Sequence, residues 1–156
     1  MDDRDLLERA IAQLLRLNAS RSVHARFSAA AGVELSQPAA VLLRRIADHG
    51  PLTMGGAAAI AHMDPGATGR QIRELEQQGL VATERNPDDG RGTVVRATKA
   101  GLSVTKRLVK VWHQHMEDAL SGWSKADRAS LARLLARFVD DLRSIRYRAA
   151  ADGTTE

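Results

Sequence analysis

Apolar positions in the N-terminal third of the chain recur at intervals of three and four. Leu6, Leu7, Ala10, Ile11, Leu14, Leu15 and Leu17 form a broad stripe that predicts an amphipathic helix over residues 5–17. Helical composition continues through 18–32, with an interruption near Asn18–Ser20 and a stop at Gly32. Ser36 then reads as the cap of a helix with Pro38 in its first turn, Leu42, Leu43 and Ile46 on its buried side, and Gly50 at its end. Thr53 caps a further helix reaching about His62, and Asp64-Pro65 opens the next, which Gly79 ends. Only a few residues separate these two helices, which is helix-turn-helix spacing.

Beyond Gly79 the pattern changes. LVATER and GTVVRAT are rich in β-branched residues and PDDG stands between them, so a β-hairpin is expected over about 80–98. Two long helices follow, at 102–122 and 124–150, the second capped by Ser124 with Asp127 in a capping-box-like position. Leu131, Leu134, Leu135, Phe138, Val139, Leu142 and Ile145 give that last helix a wide apolar stripe. The tail 151–156 is expected to fray. The fold class is therefore mainly α with a small β-hairpin wing: a winged helix-turn-helix over 36–100, flanked by helices at 1–35 and 101–150. The two terminal stripes exceed what one hairpin and three helices can cover. A two-fold pairing of chain ends, a homodimer, would bury both.

Composition narrows the functional classes. The 156 residues are 44% hydrophobic, enough for one core, but the aromatics are only Phe27, Trp112, Trp123, Phe138 and Tyr147. Such a leucine- and alanine-rich set suits packed helices. The absence of cysteine excludes disulfides and thiol chemistry. No apolar run approaches the ~18 residues of a membrane span, and the acidic start MDDRDLLERAIAQ does not resemble a signal peptide, so a cytoplasmic location is expected. No phosphate loop, HExxH or nucleophile elbow occurs, and an enzyme is not expected. His113 and His115 point to different sides of a helix and the other histidines lack chelating spacing, so neither a metal nor a cofactor is expected.

The net charge of +4 permits a polyanionic partner without requiring one, and residues 51–100 carry six basic and six acidic side chains. Binding to DNA must rest on which faces the arginines occupy. On helix 65–78, Thr68, Ile72 and Leu75 make an inward seam, while Gly66, Gly69, Arg70 and Arg73 lie opposite. Glycines on an outer face cost helix stability, and a close approach to another surface would account for them. Arginines beside them fit guanine edges in a major groove. Arg91 at the hairpin tip, with Arg85 and Arg96 on its strands, suits a narrow minor groove. Asp88 or Asp89 would hold Arg91 or Arg96 in a pre-aimed rotamer.

The stretch LTMGGAAAIAHMDPGATGRQIRELEQQGLVATERNPDDGRGTVVRATKAG resembles the winged helix-turn-helix of the MarR family of bacterial transcriptional regulators. The firmest points are Asp64, Arg70, Leu75-Glu76, Gly79-Leu80-Val81, Asp89-Gly90-Arg91, Thr98 and Gly101, and the flanking helices extend the likeness over about 5–148. Ala57, His62 and Glu74 depart from it, standing where leucine, glycine and arginine are common. The resemblance implies a homodimer on a pseudo-palindromic operator, a repressor released by a small aromatic or anionic effector. It implies base reading by Arg70 and its neighbours, and a minor-groove contact by Arg91. An effector pocket would lie where dimerisation helices meet the winged domain, with His24, Phe27, Trp112 and Met116 as lining candidates. The alternative is an architectural or protein-interaction factor, antirepressor-like, without a small-molecule response.

Overall fold

The computed structural model describes residues 2–86 and 92–145. In chain order these form α1 (Asp3–Ala19), α2 (Arg21–Ala30), α3 (Gln37–His49), β1 (Leu52–Thr53), α4 (Met54–Ala61), α5 (Pro65–Gln77), β2 (Val81–Arg85), β3 (Thr93–Ala97), α6 (Lys99–Ala119) and α7 (Lys125–Ser144). The chain divides into two compact units, Met1–His115 and Met116–Glu156.

Caps fix most helix starts in the first unit. The side chains of Ser20, Ser36, Thr53 and Asp64 accept from the N–H groups of Val23, Ala39, Gly56 and Ala67, each supplying an acceptor to a first-turn donor that has none within its helix. Gly32, Gly50 and Gly79 end or follow helices at φ 66, 76 and 69, a region where a side chain would be strained. Among the described residues His62 is the non-glycine residue there, closing α4 at φ 52. It stands where a glycine would cost less.

The core is aliphatic. Leu42, Leu43 and Ile46 of α3, Ile72 and Leu75 of α5, Val81 of β2 and Val95 of β3 are fully buried together with Ala57 of α4. Interdigitated aliphatic chains of this kind supply most of the favourable free energy of a small domain. The expected hairpin is present but is part of a three-stranded antiparallel sheet of order β1-β3-β2. Leu52 and Thr53 pair with Val95 and Val94, so the segment that caps α4 also covers the inner edge of β3.

α6 begins earlier than its apolar pattern suggests. Thr98 is the reason: its Oγ1 accepts from Gly101 N–H at 3.1 Å and donates to Gly79 O at 2.7 Å. Its own N–H donates to Leu80 O at 3.0 Å. A Cβ on Gly101 would lie 2.0 Å from Leu80 O, so only glycine allows the first turn of α6 to rest on the exit from α5.

Within the second unit, Ser124 caps α7 by accepting from Asp127 N–H at 3.1 Å, and its hydroxyl donates to Asp127 Oδ2 at 2.6 Å. The apolar positions of α7 are all exposed. α1 in the first unit likewise buries no residue.

Candidate nucleic-acid interface

α5 owes its orientation to the seam that the sequence predicts. Thr68, Ile72 and Leu75 are buried, and Thr68 Oγ1 donates to Asp64 O at 2.9 Å, which satisfies a hydroxyl with no access to water. On the far side Gly66, Arg70 and Arg73 are exposed and Gly69 is half-buried. The arginine face thus points to solvent while the seam is held by core. Gly66 has an internal role as well: a Cβ there would stand 3.2 Å from the capping oxygen Asp64 Oδ1. A close approach by another surface is not needed to account for it. Gly69 has open space about it and keeps the surface reading.

Directional bonds hold both flanks of α5. On one, Ser36 Oγ donates to Gln71 Oε1 at 3.0 Å, tying the start of α3 to the helix. On the other, Glu76 Oε1 accepts from Thr83 N–H at 3.1 Å and from Thr83 Oγ1 at 2.7 Å, tying the helix to β2. Neither Gln71 nor Glu76 is among the sequence-predicted contacts. Their partners come from segments whose juxtaposition only the fold creates.

The wing strands place Arg85 and Arg96 in solvent, and Arg85 is paired in register with Thr93. Arg96 meets Glu84 at 3.5 Å, a diagonal pair across the exposed face of the sheet. Among the described residues Glu84 therefore braces Arg96. Asp88, Asp89 and Arg91 lie outside the described residues.

Of the effector candidates, three converge in the first unit. His24 and Phe27 rings are 6.4 Å apart, and Phe27 meets Trp112 edge-on at 6.4 Å and 78°. His24 Nε2 lies 2.9 Å from Leu35 O, which fixes that nitrogen as a donor, and 3.2 Å from the buried Ser28 hydroxyl. The imidazole thus joins α2 to the residue before the α3 cap. Met116 falls in the second unit. Arg107, which the sequence pattern does not single out, donates from Nε to Ala31 O at 2.9 Å, placing a cation at the C-terminus of α2. With Lys110, Val111 and Gln114 of α6 it lines an open groove beside Ala30 and Ala31.

The MarR family model matches residues 35–93. YdgJ of Bacillus subtilis, described as an uncharacterized HTH-type transcriptional regulator, is 26% identical over 126 residues, covering 81% of this chain and 76% of its own. The HTH-type transcriptional repressor IacR of Pseudomonas putida is 33% identical over 64 residues, 41% of this chain and 38% of that protein. The crystal structure of RV1404 from Mycobacterium tuberculosis aligns with TM-score 0.74 at 22% identity, covering 95% of this chain and 99% of that one, a likeness of fold.

Proposed function

We propose that the chain, whose residues 35–93 match the MarR family model, is a winged helix-turn-helix regulator of that family that represses transcription as a homodimer on a pseudo-palindromic DNA operator. The observation that carries this reading is α5. Its seam of Thr68, Ile72 and Leu75 is buried, while Arg70 and Arg73 project from an outer face smoothed by Gly66 and Gly69. In this reading Arg70 and Arg73 take base edges in the major groove, where an arginine fork matches guanine. Arg85, Arg91 and Arg96 of the wing meet phosphate and the minor groove, with Asp88 and Asp89 as supports of the tip. The repressor sense follows the likeness to IacR.

Two further parts belong to the same proposal. The exposed leucines of α1 and α7 form the dimer surface, and two-fold symmetry sets the recognition helices about 34–36 Å apart, one turn of DNA. A small aromatic or anionic effector binds at the corner of His24, Phe27 and Trp112. The hydrogen bond from His24 to Leu35 O supports this, since a ligand that moves the imidazole acts directly on the lead-in to α3.

Selection of bound duplexes from a random library tests the reading. The expected product is a two-fold symmetric site, and Arg70→Ala should weaken binding to it by about 1–3 kcal/mol and relax one position per half-site. A library that yields no enriched site, or an Arg70→Ala protein with unchanged preference between selected and scrambled duplexes, would overturn it.

A further inference from the structure

Glu76 is an acid in a place that disfavours one. It is the second-last residue of α5, where the helix dipole favours cations, and it lies on the element proposed to approach a polyanion. Yet its carboxylate is engaged: one oxygen takes both the N–H and the hydroxyl of Thr83, at 3.1 and 2.7 Å. Thr83 is the central residue of β2, and β2 is an outer strand of the sheet, paired only with β3. The N–H that an outer strand turns away from its neighbour is thus taken up by the recognition helix. The apolar seam under α5 resists separation but is non-directional, so by itself it leaves the angle between helix and wing soft. Two charge-assisted hydrogen bonds to one residue are directional.

We propose that Glu76 is a positioning residue that fixes the wing at a set angle to the recognition helix, so that major-groove and minor-groove contacts can be made together. Its negative charge lowers affinity for every duplex, while its geometry raises the preference for the right flanking sequence. The inference rests on the DNA-binding reading above. It concerns Arg85 and Arg96 on the wing strands, both carried by the sheet that Glu76 holds.

Three single variants, Glu76→Gln, Glu76→Ala and Thr83→Val, and the Glu76→Ala, Thr83→Val double variant test it. Each is titrated against the selected duplex, the same duplex with its flanking A·T pairs changed to G·C, and a scrambled duplex. Hydrogen exchange at the Thr83 amide is followed without DNA. Glutamine keeps an acceptor oxygen and loses the charge, so it should bind all three duplexes more tightly with flank preference retained and the amide still protected. Alanine should also gain on scrambled DNA but lose about tenfold in flank preference, with the Thr83 amide exchanging faster. Thr83→Val should lose part of that preference, and the double variant should be no worse than Glu76→Ala alone.

Retention of full flank preference by Glu76→Ala with a deprotected amide would overturn the positioning role. An amide equally protected in wild type and Glu76→Ala would overturn the clamp itself. Should Glu76→Ala fail to fold, Thr83→Val carries the test, and unchanged flank preference there rejects the proposal. If the wild type selects no site, the DNA-binding reading falls and this one with it, whereas any failure confined to the variants leaves that reading standing.

Discussion

α1 and α3 carry apolar stripes of the same kind and meet different surroundings. α3 buries Ala39, Leu42, Leu43 and Ile46 in the winged core. α1 is longer and buries nothing: Leu6, Leu7, Leu14, Leu15 and Leu17 are 50–62% exposed. α7, in the second unit, repeats the bare pattern. Helical periodicity therefore records that a face needs cover, and says nothing of what covers it. For α3 the cover is α4, α5 and the sheet, all elements of the same winged core. For α1 and α7 the proposal assigns it to a second copy of the chain, and contiguous leucines on this scale are a mark of such a site.

The largest effect separates the two kinds of stripe. Leu42→Ala removes a fully buried side chain and should lower stability by about 2–5 kcal/mol in a denaturant titration, whereas Leu14→Ala at a concentration favouring single chains should change it by less than about 0.5 kcal/mol. A comparable loss for both would show α1 to be part of the same core. Next, Leu135→Asp should raise the dimer dissociation constant about a hundredfold by placing an unpaired charge in the proposed interface. Sedimentation would then move from twice the chain mass to once, and operator binding would weaken with it. An unchanged sedimenting mass would remove α7 from the interface. Gly101→Ala tests the winged side again. Its methyl has no room beside Leu80 O, and about 1–3 kcal/mol should be lost in a thermal melt. The smallest effect has the opposite sign: His62→Gly relieves a side chain at φ 52 and should stabilise the winged core by about 0.5–1 kcal/mol.

What the sequence made legible was local. Ser36, Thr53, Asp64 and Ser124 cap the helices they precede, because a cap needs only its own three following residues. The buried and outward faces of α5 followed from its period. The strand β1 was not legible. Two residues carry no alternation, and Leu52-Thr53 is a strand only because β3 offers an edge more than forty residues later. Ser36–Gln71 is likewise a product of the fold, 35 residues apart. Glu76–Thr83 is closer in sequence, but the Gly79 turn lies between, and no propensity ties a helix-end acid to a strand across such a turn. The bracing of Arg96 by Glu84 could have been anticipated, since hairpin register sets such diagonal neighbours once the pairing is known.

The aliphatic make-up of the core has a consequence for light. Among the described residues no aromatic ring is buried, and the two indoles, Trp112 and Trp123, are 51% and 44% exposed. The interior of the winged unit is thus transparent in the near ultraviolet, and its melting registers in backbone ellipticity. Trp112, set edge-on to Phe27, instead gives its emission to the corner between α2 and α6. A molecule that settles there should shift that emission to the blue and quench or enhance it while the helices stay as they are. The protein comes with its own fluorophore at the site proposed for its effector, and a screen for that effector needs no label.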